Sequence, residues 1–136
     1  MTRREQRIKI MTCIYQYLLT GKKIDDIFDE NLELDDKESI SFIIENTIGV
    51  INEKDHLIEL IEPKLNEYQF SRLGYIEQSI LLLSVFQLEE NKIDRAVVIN
   101  EAIEIAKKYC DDKAPKFING VLDRLWTTAI FFQLVI

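Results

Sequence analysis

A chain of 136 residues with 47% apolar side chains can build one domain around a real core, and it has no room for a cofactor-binding α/β domain beside it. Four glycines and two prolines leave little turn chemistry for hairpins, and the distant Cys13 and Cys110 form no disulfide framework, which points to a reducing, cytoplasmic setting. A net charge of −7 argues against indiscriminate nucleic-acid binding.

The distribution of charge is more informative than its sum. Residues 1–23 carry Arg3, Arg4, Arg7, Lys9, Lys22 and Lys23 against Glu5 alone, a local net of +5, so the remaining residues carry −12. An acid-rich stretch follows at once, with eight carboxylates from Asp25 to Glu38 offset only by Lys37. The basic start is not followed by the uninterrupted apolar run of a signal peptide. No run approaches the length of a membrane span, so no membrane partner is expected.

Apolar spacing is helical nearly throughout. Met11, Ile14 and Leu18 form a stripe that stops before Gly21. A short amphipathic turn follows, with Ile24, Ile27 and Phe28 apolar. The spacing then predicts a long helix over about 37–51, burying Ile40, Ile43, Ile44, Thr47 and Ile51, a break at 52–55, and a short segment at 56–61 limited by Pro63. Residues 75–88 are apolar on nearly every side from Ile80 onward, the mark of a central helix surrounded by others. A helix over about 95–109 should turn Ile99, Ala102, Ile103 and Ala106 inward. The next, over about 114–128, should bury Phe117, Ile118, Val121, Leu122 and Leu125, with Pro115 in its first turn. The apolar tail, residues 129–136, is expected to extend that helix and bury Ile130, Phe131 and Leu134 against the body or a second copy. The fold class is therefore all-α, a single domain over 1–136 built as a compact bundle of six or seven helices.

Catalytic machinery is not visible. His56 is the one histidine and has no second His or Cys nearby, which makes a poor metal site, and a solvated or capping role is expected. Phosphate-binding glycine loops and the serine-hydrolase elbow are missing, and the acidic stretch lacks calcium-loop spacing. Glu101 and Glu104 read as solvent-facing helix glutamates. No metal, cofactor or enzymatic activity is expected.

The N-terminal arginines are the more informative feature. Arg4 and Arg7 continue the stripe of Met11, Ile14 and Leu18, so the apolar face becomes cationic in its first turns. A buried, unpaired arginine is costly, so this end is expected to overhang the core with its guanidinium groups outward. Arginine suits bidentate phosphate contact and base stacking, whereas a solvated, frayed terminus would need neither.

Two blocks carry a family resemblance. Ile99-Asn100-Glu101-Ala102-Ile103-Glu104-Ile105-Ala106-Lys107 and Lys116-Phe117-Ile118-Asn119-Gly120-Val121-Leu122-Asp123 closely resemble the INEAVELAK and KFVNGVLD signatures of the NusB family, at the right separation. Arg72-Leu73, Ile80-Leu81 and Gln87-Leu88 look like that family's run before these blocks, and Arg3, Arg4, Arg7 and Tyr15 match its arginine-rich first helix.

The resemblance implies two helical subdomains and an antitermination factor. Such a factor binds boxA-type single-stranded RNA together with NusE, a ribosomal protein, and supports the transcription elongation complex on ribosomal RNA operons. Carried over by residue, the RNA surface comprises Arg3, Arg4, Arg7, Tyr15, Lys116 and Phe117, and Glu77 is a candidate partner contact. Tyr15 and Phe117 fit either a stacking platform or the core. Asn100, Asn119 and Gly120 read as structural, the last permitting close helix approach. The chain departs from the family at Leu82, where Arg is usual, at Thr12, where Gln is usual, and in its apolar tail. The alternatives are a protein-interaction scaffold of the same fold with little RNA binding and, less compatible with the length, a module of an RNA methyltransferase; a homodimer is also open.

Overall fold

The computed structural model describes residues 1–32, 36–66 and 68–127. They form seven α-helices: α1 (Arg3–Thr20), α2 (Ile24–Asn31), α3 (Lys37–Asn52), α4 (Lys54–Ile61), α5 (Tyr75–Glu90), α6 (Arg95–Tyr109) and α7 (Ala114–Leu125). Two 3-10 turns, Glu62–Lys64 and Phe70–Arg72, lie between α4 and α5, and there is no strand among the described residues. The tail expected to bury Ile130, Phe131 and Leu134 lies outside the described residues.

Local chemistry accounts for most helix ends. Thr2 caps α1 in a reciprocal box with Glu5, its Oγ1 accepting from the Glu5 amide and the Glu5 carboxylate accepting from the Thr2 amide. Gly21 ends the helix in the left-handed region, φ 68°, a conformation that a Cβ would strain. Asp36 accepts from the Ser39 amide at the start of α3, and Asp94 from the Ala96 amide at the start of α6. Asp111 accepts from the amides of Lys113 and Ala114, and Pro115 occupies the first turn of α7.

Helix α5 is the axis of the bundle, buried continuously from Gln78 to Leu88 and packed by α1, α3, α4, α6 and α7. Leu82, where the family usually carries Arg, is completely enclosed. Polar groups on this helix are satisfied internally: the Gln87 amide donates to Asn46 on α3, and the Gln78 amide to the Leu73 carbonyl.

Four expectations about packing change. On α3 Ile43, Asn46, Thr47 and Val50 are buried, while Ile40, Ile44 and Ile51 are half-buried. On α6 the deepest residues are Val98, Ala102, Ile105 and Ala106, while Ile99 and Ile103 are half-buried, because α6 packs on both α5 and α7 and its buried stripe turns accordingly. Close helix approach belongs to Gly49, not Gly120: a Cβ on Gly120 would meet only the Arg124 guanidinium, at 3.2 Å. Asn100 and Asn119, read as structural, stand exposed on α6 and α7.

Candidate nucleic-acid interface

Of the three N-terminal arginines, Arg7 does not overhang the core. Arg7 is only 5% exposed and shares a small cavity with Met11, Leu83, Val98, Glu101 and Ile105. Its place in the α1 stripe carries it inward with Ile10, Met11 and Ile14. Its Nε has no hydrogen-bond partner among the described residues, and burial holds its pKa below the usual arginine range, with the Glu101 charge opposing that shift. The expectation of three outward guanidinium groups is therefore corrected at Arg7: the nearby Glu101 carboxylate offsets part of the cost of enclosing a cation.

Arg3 and Arg4 reach the surface but are tethered. Arg4 donates from Nε and Nη2 to the two carboxylate oxygens of Glu101 on α6, at 2.8 and 3.1 Å. Arg3 lies over the Phe42 ring of α3, 3.8 Å from its centroid, and donates to the Gln6 side-chain oxygen at 2.6 Å. Gln6 is itself buried and donates to Ser39, whose hydroxyl donates to Asp36. Glu101, expected to face solvent, is thus a structural partner of the basic end, with its side chain 16% exposed. The Arg4 fork holds its carboxyl below the usual carboxylate range. Glu104 does face outward and pairs with Lys107.

Other cations of the basic segment are also engaged. Lys9 donates to the Asn31 carbonyl at the end of α2, and Lys22 pairs with Glu30 at 3.2 Å. The charge asymmetry in sequence is thus largely met by contacts to neighbouring helices.

Three of the remaining candidates, Glu77, Lys116 and Phe117, gather near the start of α5. A groove of about 310 Å³ is lined by Tyr68, Arg72, Gly74, Glu77, Lys113 and Phe117, among others. Phe117 is half-buried and meets the Tyr68 ring edge-on, with centroids 6.0 Å apart. It is at once a core neighbour and a groove wall. Lys116 is exposed next to it. Glu77 stands in the first turn of α5, where a carboxylate suits the helix dipole, and Gly74 gives it space: a Cβ there would lie 2.3 Å from the Glu77 carboxylate. Burial, reinforced by the Glu77 charge, pushes the Cys110 thiol up to about 12, so it is not a reactive thiolate at neutral pH.

Arg3, by contrast, shares a hollow with Phe86 and Glu90, toward the end of α5. Nine residues separate Glu77 from Phe86, about 14 Å of helix. The candidates therefore form two clusters: Arg3 and Arg4 over buried Arg7, and Glu77 with Phe117 and Lys116. Tyr15 belongs to neither; it is half-buried on α1, two turns beyond Arg7. Sequence reasoning missed Tyr68, Arg72 and Lys113 in the groove. Their signal was slight, since they come from separate segments flanking α5 and α7.

Among the described residues no group of acidic, His or Cys side chains is arranged to hold a metal, and no helix is long and apolar enough to cross a membrane. The fold and these two clusters define an all-helical bundle with cationic and aromatic side chains fixed at helix starts. Residues 4–126 match the NusB family. The chain is 34% identical over 127 residues to the transcription antitermination protein NusB of Campylobacter jejuni strain RM1221, covering 91% of this chain and 95% of the relative. It is 37% identical over 128 residues to that of a Nitratiruptor species, covering 91% of each. In structure it is similar to T. maritima NusB, with a TM-score of 0.88 at 29% identity over 94% of this chain and 92% of the other. It is also similar to a chain from a crystal structure of the antitermination factors NusB and NusE in complex with double-stranded RNA, with a TM-score of 0.83 at 26% identity over 93% of this chain and 98% of that one. The chain belongs to the NusB family of transcription antitermination proteins.

Proposed function

We propose that this protein binds boxA-type single-stranded RNA jointly with NusE and so supports processive transcription of ribosomal RNA operons, acting in the cytoplasm as one domain and by binding alone. The observation that carries this reading is the groove at the start of α5. There two aromatic rings, Tyr68 and Phe117, stand beside Arg72 and Lys113, with Lys116 adjacent. Single-stranded RNA is recognised by this chemistry, cations for phosphates and ring faces or edges for unstacked bases. Arg3 and Arg4 add a second cationic point, and the structural neighbour that holds NusB and NusE with double-stranded RNA supports NusE and RNA as partner classes, the single-stranded boxA type resting on the chemistry of the groove. Glu77 on the groove wall is then a contact for RNA or NusE, and the surrounding elongation complex is reached through them. Tyr15 stands as a further contact on the same helix as the arginines.

Binding of boxA-type and scrambled RNA, with and without NusE, tests the reading. Phe117→Ala is expected to cost roughly 1–3 kcal/mol of RNA affinity while leaving the salt slope unchanged, if the ring stacks on a base. Arg3→Glu with Arg4→Glu should instead flatten the slope of log affinity against log salt, by about 0.7 for each lost phosphate contact. Equal binding of both RNAs by parent and variants at low salt would overturn the proposal.

A second reading, a protein-interaction scaffold with little RNA affinity, is favoured by one observation. Of the three N-terminal arginines, Arg7 is buried and Arg4 is paired with Glu101, on a chain of net charge −7. NusE binding that survives all three substitutions, with no RNA dependence in the parent, is its signature. A homodimer would appear as a doubled mass in solution.

A further inference from the structure

We infer that Glu101 is a positioning residue for RNA, holding the Arg4 guanidinium as a pre-oriented phosphate ligand; this deepens the RNA-binding reading above and rests on it. The fork runs from Arg4 Nε and Nη2 to both Glu101 oxygens and joins residues 97 apart in sequence. A guanidinium carries five N–H groups in a rigid plane, and this side-on fork engages only two of them. The Arg4 side chain is half exposed whereas Glu101 is mostly enclosed, so the carboxylate anchors one edge of a guanidinium that still reaches solvent.

The charge count makes this arrangement a support instead of a neutralised pair. Arg7 lies in the cavity that Glu101 also lines, Glu104 acts on Arg4 from one turn further along α6, and Arg3 acts on Arg7, so three guanidinium groups meet two carboxylates and the cluster keeps a net positive charge. On the neighbouring face Arg3 is held in the same manner, stacked on Phe42 and bonded to buried Gln6. The first turn of α1 therefore presents two arginine heads whose rotamers are already set. A pre-ordered side chain spares the entropy otherwise lost when it is immobilised on binding.

Simple charge repulsion and positioning predict opposite signs. Removing an acid from an acidic protein should tighten RNA binding if Glu101 merely repels phosphate or competes for Arg4. On the positioning view, Glu101→Gln weakens binding of boxA-type RNA to the full chain with NusE by roughly two- to tenfold, the scale of one ordered side chain. The double variant Arg4→Gln with Glu101→Gln should bind no more weakly than Arg4→Gln alone, a non-additivity expected of one coupled unit. Arg4→Lys supplies a version that leaves the Glu101 carboxylate beside buried Arg7, so folding is not at stake. It keeps the charge, and hence the salt slope, but loses the planar fork, and should lose affinity as Glu101→Gln does. Tighter binding by Glu101→Gln, additive losses, or parent-like affinity of Arg4→Lys would each overturn the inference. If Arg4→Gln weakens binding while Glu101→Gln does not, positioning fails and the RNA reading stands. If Arg4→Gln changes nothing, the basic end is not an RNA contact and the inference fails with that part of the reading.

Discussion

Gly49 on α3 sits so close to Phe86 on α5 that a Cβ at Gly49 would lie 2.2 Å from the ring Cζ. The two helices can approach only because this position has no side chain, and the ring itself is 93% enclosed. Phe86 also lines the hollow occupied by Arg3, so the approach helps to place the first turn of α1.

Gly49→Ala sets two effects against each other. Alanine gains about 1 kcal/mol of helix propensity. Overpacking a buried ring costs about 1–3 kcal/mol, and the clash here is with the ring itself. The net expectation is destabilisation, with partial recovery when Phe86→Leu is added. Urea denaturation of the three variants measures it, and a midpoint at or above the parent's for Gly49→Ala would show that the ring swings aside.

Arg7 separates burial from charge. Arg7→Met keeps length and apolar contact, removes the unpartnered Nε, and should leave stability within about 1 kcal/mol of the parent, since well-packed apolar replacements of buried ions are often neutral. Arg7→Glu should lose about 3–5 kcal/mol, because it encloses a carboxylate against Glu101. Thermal unfolding of both decides. A parent-like melting temperature for Arg7→Glu would mean that the side chain swings out to solvent.

Two ion pairs give stability opposite pH dependences. The hydrogen bond from Arg4 lowers the Glu101 pKa, so this group stabilises above the unfolded carboxylate value of about 4.3 and loses that contribution as pH falls through its lower folded value. The hydrogen bond to Glu89, 2.7 Å away, raises the His56 pKa. Its stabilisation is complete below the unfolded imidazole value of about 6.5 and disappears as pH rises through the folded value. His56 is about half exposed, so its share is small. Melting temperature against pH should therefore lose its acid-side drop in part in Glu101→Gln, and its slight decline above neutrality in Glu89→Gln. Curves parallel to the parent's in both variants would contradict these assignments.

Helical periodicity, the stop at Gly21, the start beside Pro115 and the all-round apolar character of Ile80–Leu88 are local properties, legible because a helix repeats every few residues regardless of its partners. The blocks around Asn100 and Phe117 likewise carried the family in the order of residues alone. The direction each stripe faces is not local. Arg7 and Met11 share one face, and sequence treats a cation there as an overhang until Glu101, 94 residues away, is folded beside it. For the same reason Glu101 passed for a solvent-facing glutamate, and Tyr68, Arg72 and Lys113 gave no sign of standing with Glu77 and Phe117. Coulomb attraction and burial act through space, so tertiary packing alone decided which arginines reach solvent, what holds them, and which side chains form the groove.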